Sequence, residues 1–178
     1  RMRALMEACG NQHEQVRMVH VAGSVGKGST VAMVASLLAG SGYAVGQYTS
    51  PHLIDMRERI SINGREIGKN DFTELTRQIV DAGNALDFEP TFFELMTAVA
   101  FRYFAEQAVD IAVIETGLGG RLDSTNVINP EVSVITQVAL DHQHILGGSL
   151  REIALEKAGI MKRGVPALTF EQDAEVMS

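Results

Sequence analysis

The stretch that most constrains this chain is "RMVHVAGSVGKGSTVAMVASLLAGSG", residues 17–42, where an apolar run enters a glycine loop and leaves it directly as a helix. "RMVHVAG" has the β-branched, apolar character of a strand covered on both faces. "STVAMVASLLAGSG" reads as a helix closed by Gly40 or Gly42. A strand that passes through glycines into a helix gathers free backbone N–H groups at a positive helix terminus, and such a spot suits a phosphate. The structural alternative is a glycine turn carrying a solvated lysine.

The alternation continues along the chain. "YAVGQYTS" reads as a second strand, and "RISINGREI" alternates around Asn63-Gly64, the pair that favours a two-residue hairpin. Helices are predicted at "NDFTELTRQIVDAGNAL" and "TFFELMTAVAFRYFAEQA". "VDIAVIE" (109–115) and "EVSVITQV" (131–138) are short apolar runs of the kind buried in parallel sheets. "SLREIALEKAGI" opens with a capping box, Ser149 to Glu152, and "VPALTF" returns as a last strand. This order predicts an α/β fold, a mostly parallel sheet flanked by helices on both faces, with a small β-hairpin. No repeat, low-complexity tract or linker divides residues 1–178, which read as one domain. Ligands of such sheets bind at the carboxyl ends of the strands.

The totals exclude several classes. A net charge of −7 argues against nucleic acid and anionic membranes as partners, so any phosphate must be held by local groups against the overall field. Cys9 is the only cysteine, which excludes an internal disulfide and a thiolate metal cluster. No 18-residue apolar run exists and "RMRALMEACG" has no signal-peptide core, so a cytoplasmic location is expected. Both ends read as cut: Arg1 is not an initiator, and "FEQDAEVMS" stops just after an apparent strand.

Several residues offer chemistry. In the glycine loop, Gly23, Gly26 and Gly28 let the backbone approach phosphate, Lys27 supplies a point charge, and Ser29 or Thr30 offers a hydroxyl to magnesium. Glu115 ends an apolar strand, where a carboxylate commonly serves a nucleotide's metal and is also a frequent exposed strand end. "TGLGGRLDSTN" (116–126) follows it as a glycine-rich loop at the ligand edge. Asp141, His142 and His144 follow another strand, as metal ligands or as histidines satisfied by the backbone. Thr91 and Glu94 have capping-box spacing, and Lys157 sits near a helix C-terminus, where a cation needs no further role.

Together, "GSVGKGST", "YTSPHL", "ERISING", "ETGLGGRLDSTNV", "ALDHQHILG" and "EKAGIMKRGVP" resemble the folylpolyglutamate synthase and dihydrofolate synthase family of the Mur-type ATP-dependent amide ligases. The resemblance runs from about Val19 to Pro166, in the family's order. That family's loop reads G-T-N-G-K-G-S/T; here Ser24 and Val25 stand in place of Thr-Asn, which keeps a hydroxyl and loses a polar side chain.

The resemblance implies that Gly23, Ser24, Val25, Gly26, Lys27, Gly28, Ser29 and Thr30 form the ATP site, with the amides of residues 24–27 on the phosphates. It implies that Ser50, Glu115 and His142 bind Mg²⁺, and that Thr91, Phe92, Phe93, Glu94, Leu122, Asp123 and Ser124 border the pterin end of the substrate. Lys157 matches a lysine that carries a carbamate, and Lys27, Glu115, His142 and Lys157 would serve catalysis. The implied reaction joins L-glutamate to folate, or to dihydropteroate, through an acyl phosphate. The resemblance also implies a C-terminal glutamate-ligase domain beyond these residues and a monomeric full-length enzyme; a fragment without that domain is expected to expose apolar surface and self-associate, and to ligate poorly because half of the composite site is absent. Two other readings stand beside it: a P-loop NTPase or kinase-like domain, and a nucleotide-binding fragment without catalysis. The "TSPHL" and "LDH…EKAGI" segments weigh against a generic NTPase, which has no use for them.

Overall fold

A computed structural model describes residues 1–177. The chain opens with a helix not anticipated from the sequence, α1 (Met2–Ala8), which buries Met2, Leu5 and Met6. A 3₁₀ turn at Gln12–Gln15 leads into β1 (Met18–Ala22), and α2 (Lys27–Gly40) follows the glycine loop. Then come β2 (Val45–Tyr48), a 3₁₀ turn at Met56–Arg59, the hairpin β3 (Ile60–Ile62) and β4 (Arg65–Glu66), and the helices α3 (Lys69–Gly83) and α4 (Phe92–Glu106). The chain continues through β5 (Ile111–Glu115), β6 (Val132–Ile135), α5 (Gln143–Leu146), α6 (Leu150–Ala158), β7 (Ala167–Leu168) and α7 (Ala174–Met177).

Among the described residues, seven strands form one sheet in the order β4-β3-β2-β5-β1-β6-β7. β2, β5, β1, β6 and β7 are parallel and β3 and β4 antiparallel, as the alternation and the Asn63-Gly64 pair predict. Asn63 and Gly64 both take positive φ, 48° and 75°, which matches the twist of a tight hairpin. The last strand is shorter than "VPALTF" suggests: only Ala167 and Leu168 pair, both exposed at the sheet edge.

All five residues of β1 are buried, because helices cover both faces of the sheet. Val19 and Val21 point towards α2, while Met18 and Ala22, one step out of phase, point to the opposite face. There α1, α3 and α4 build the larger core around Phe101, Phe104, Leu75 and Ile79. Leu75 and Ile79 lie four apart on α3, one stripe of an amphipathic helix. Phe104 lies so close to β2 that a Cβ on Gly46 would meet its ring at 2.8 Å, so glycine there permits the packing. Burying one such phenylalanine contributes about 1.5–3 kcal/mol.

The connection from β1 passes over β5 to reach β2, whereas the chain leaving β6 goes the other way, to β7. Connections that diverge in this manner open a crevice at the carboxyl ends of the central strands. The loops after β1, β2, β5 and β6 all meet there.

Candidate functional site

The glycine loop leaves β1 at Gly23, whose φ is +151° and whose added Cβ would fall 1.8 Å from Thr136 Oγ1, so no side chain fits. α2 begins at Lys27 with Gly26 as its N-cap, and no side chain caps it. Its first intrahelical bond runs from the Thr30 amide to Gly26 O at 2.9 Å. The amides of Gly26, Lys27, Gly28 and Ser29 therefore have no protein partner and point together from a helix N-terminus. The amides of Ser24 and Val25, also expected to face phosphate, are taken instead by Gln137 O at 2.7 and 3.2 Å. The cause is the chain leaving β6, which bridges to Val25 and also exchanges two 3.0 Å bonds between Ser24 Oγ and Ala139. The free donor set is thus 26–29 rather than 24–27, and the Val25 side chain faces solvent.

Two ammonium groups share one carbonyl here. Lys27 Nζ and Lys157 Nζ donate to Gly23 O at 3.1 and 3.0 Å. Lys157 reaches it from the last turn of α6 and is only 2% exposed. Burial, and then the charge of Lys27, bring Lys157 down to about 8, with Asp141 opposing. Glu115, at the end of β5, is 4% exposed and sits beside Gly28. Burial pushes its carboxyl up, while Lys27 and the Ser50 amide, 3.4 Å away, pull the other way. A buried carboxylate with one long hydrogen bond, beside a serine and beneath phosphate donors, has the hard oxygen chemistry that suits Mg²⁺. Among the described residues no group of three or more His, Cys, Asp or Glu side chains is placed to hold a metal, so an ion here would complete its shell from phosphate and water. His142 lines the same cavity as Ser50, with Nε2 3.4 Å from Asp141 Oδ1.

A cavity of about 540 Å³ opens between Ser24, Lys27, Ser50, Arg59, Phe93 and His142. A second, of about 230 Å³, adjoins it and is lined by Phe93, Leu118, Leu122, Asp123, Ser124 and Ile145. Of the residues expected at the pterin end, Phe93, Leu122, Asp123 and Ser124 thus border open space, and Phe92 stacks under Arg59. Thr91 and Glu94 do not border either cavity. They form the capping box of α4, and Glu94 also accepts from Arg1 at 3.2 Å, so the cap is their role in this structure. Burial raises the Glu94 carboxyl, but Thr91 and Arg1 outweigh it and hold it below the ordinary range. A cap of this kind contributes about 1 kcal/mol.

Asp123 is also committed. It accepts from the amides of Gly117 and Leu118 at 2.9 Å each and from the amide of Thr125 at 3.0 Å, which folds residues 117–125 into a fixed loop. The Thr125 hydroxyl donates to Asp123 as well, so His20, 2.8 Å from that hydroxyl, must donate through Nε2–H. Burial, aided by Lys162, pushes His20 down to about 3, which keeps this imidazole neutral. The cavity wall is therefore tied to the middle of β1.

Sequence reasoning did not single out Arg59, His20 or Thr125. "ERISING" read as part of a hairpin and of the resemblance, without a role for its arginine, and only the place of Arg59 at the end of the 3₁₀ turn Met56–Arg59, next to the cavity, gives it one. No local signal marks His20 and Thr125, which meet across 105 positions.

The Mur ligase middle domain model matches residues 21–173. A dihydrofolate synthase/folylpolyglutamate synthase of Bacillus subtilis (strain 168) is 49% identical over 182 residues, covering 99% of this chain and 42% of that protein. The Mycobacterium tuberculosis folylpolyglutamate synthase complexed with ADP superimposes with a TM-score of 0.93 at 39% identity, over 99% of this chain and 42% of its own. An FPGS-AMPPCP-folate complex gives a TM-score of 0.96 at 44% identity, over 99% of this chain and 44% of its own. The chain thus spans less than half the length of these relatives.

Proposed function

The chain belongs to the Mur ligase family through its middle domain, and we propose that it is the ATP-binding part of a ligase joining L-glutamate to a folate-type acid. The observation that carries this reading is the set of four unpartnered amides, Gly26 to Ser29, beside Lys27 and the buried Glu115, at the mouth of a cavity large enough for an acid substrate. The relatives support it: one is named for both synthase activities, and others are complexes with ADP or with AMPPCP and folate.

In this reading the amides of residues 26–29 and Lys27 Nζ hold the outer phosphates of ATP in line with a substrate carboxylate. A carboxylate oxygen forms a bond to the γ-phosphorus as the bond to the β,γ-bridging oxygen breaks, and ADP leaves with the electron pair. Glutamate's amine then attacks the acyl carbon, phosphate departs, and the amine loses a proton. The chain supplies alignment and charge rather than a nucleophile, which is what phosphoryl transfer requires. Mg²⁺ held by Glu115 and Ser50, with His142 lining the same cavity, would neutralise phosphate charge. Leu122, Ser124 and Phe93 would border the pterin. The part of the relatives' length that this chain does not cover would complete the glutamate site, so residues 1–178 alone should bind ATP and turn over poorly.

The test is ADP release by the full-length protein with folate or dihydropteroate, with and without L-glutamate. ADP release that needs both the acid and glutamate is expected. Release indifferent to the acid would instead indicate an NTPase.

A further inference from the structure

Arg59 is only 8% exposed, yet no carboxylate neutralises it. None of the ion pairs among the described residues involves it. The acids on its own turn are occupied: Asp55 pairs with Arg57 at 2.8 Å, and Glu58 accepts from the amides of Leu53, Ile54 and Asp55 at 2.6–2.8 Å. What holds Arg59 is neutral. Its Nε donates to His52 Nδ1 at 2.9 Å, and its guanidinium lies over the Phe92 ring at 5.4 Å. Its carbonyl takes the Thr49 amide at 3.0 Å, which fixes the turn beside Ser50.

A buried cation without an anion is costly, so the arrangement needs an anion from outside the chain. The guanidinium borders the same cavity as Lys27 and Ser50. The phosphates already have Lys27 and the helix N-terminus. The planar fork of an arginine, oriented through Nε, suits the two oxygens of a carboxylate better than a point charge does.

We propose that Arg59 recognises the carboxylate that does not react on a glutamyl-terminated acid, and so sets a preference for such acids over acceptors with a single carboxylate. This rests on the ligase reading above. A folate ends in a glutamyl unit with two carboxylates, one activated and one left free, whereas dihydropteroate has only the carboxylate that reacts. Arg59 then acts on the first substrate and is idle with the second.

The experiment compares Arg59→Gln and Arg59→Lys with the parent full-length protein, using folate, its amide at the non-reacting carboxylate, and dihydropteroate. KM and kcat are measured beside calorimetric binding and thermal unfolding. For Arg59→Gln, folate KM and Kd are expected to rise roughly tenfold to a hundredfold, the loss of a charge-assisted contact. The kcat, the ATP KM and the dihydropteroate KM should stay within about twofold, since the lost contact belongs to one substrate's ground and transition states alike. Arg59→Lys should recover part of the loss. The amide should bind parent and Arg59→Gln equally weakly. Equal losses for folate and dihydropteroate, or no loss for either, would overturn the proposal, and an unchanged melting curve excludes misfolding as the cause of a selective loss. A parent that binds folate in an Arg59-dependent way but releases no ADP would sink the ligase reading alone, and a parent that binds neither acid would sink both.

Discussion

Replacing Lys27 with alanine is expected to weaken ATP binding by about 1.5–3 kcal/mol, roughly tenfold to a hundredfold, while acid-substrate affinity stays close to the parent's. The ammonium is on the first residue of α2, beside four free amides, and among the described residues its hydrogen bond goes to the Gly23 carbonyl. Its removal has two further effects. Lys27 is one cause of the low Lys157 pKa and is the charge that holds Glu115 towards its ionised form. The alanine variant should therefore bind Mg²⁺ less well and carry a more fully protonated Lys157. Calorimetric titrations of parent and variant, with ATP and with folate, measure the difference. Equal losses for the two ligands would place Lys27 in the folding of the loop rather than on the phosphates.

Carbamylation of Lys157 is the second large effect expected. The neutral amine adds CO₂ and loses a proton, giving an anion that keeps one N–H for Gly23 O and faces Lys27 instead of repelling it. The reaction needs an uncharged lysine, and burial with a neighbouring cation provides one, since Lys157 titrates at about 8 rather than 10.5. Between those values the unfolded chain holds the extra proton, so the unmodified protein gains stability as pH rises through this window and carries the full penalty below it. Carbamate formation should rise over the same range. Full-length protein equilibrated with ¹³CO₂ at alkaline pH is expected to show a carbamate carbon signal that Lys157→Ala lacks. That variant should lose most of its turnover and regain part of it with added short carboxylates. Identical ¹³C spectra for parent and variant would contradict the assignment.

How far the sequence discloses this site depends on how local each cause is. The turn at Asn63-Gly64, the capping box at Ser149 and the strand, glycine loop and helix around Lys27 are written in neighbouring residues, and the structure contains all three. The direction of the Ser24 and Val25 amides is not local. It depends on Gln137, more than a hundred positions away, passing beside the loop. The same holds for Asp123, whose place in a substrate-like motif gives no hint that its oxygens are filled by Gly117, Leu118 and Thr125. Nothing in "ERISING" marks Arg59 until His52 and Phe92, from outside that segment, close around it. Charge is easy to find in a sequence; whether a neighbour neutralises it is a tertiary fact. Glu94 gives the converse case, since Thr91 three positions earlier is enough to predict the cap that the structure contains.

The most direct test of the central claim follows the substrate's oxygen. Full-length protein is given MgATP, L-glutamate and a folate whose reacting carboxylate carries ¹⁸O at both positions, and the released phosphate is analysed by mass. An acyl phosphate route transfers one labelled oxygen to each phosphate, because the carboxylate oxygen that attacks the γ-phosphorus leaves with it. One ¹⁸O per phosphate, with one retained in the amide product, is the expected result. Unlabelled phosphate formed at the same rate would mean that water, not the acid, attacks ATP, and that the site built around Lys27 belongs to a hydrolase.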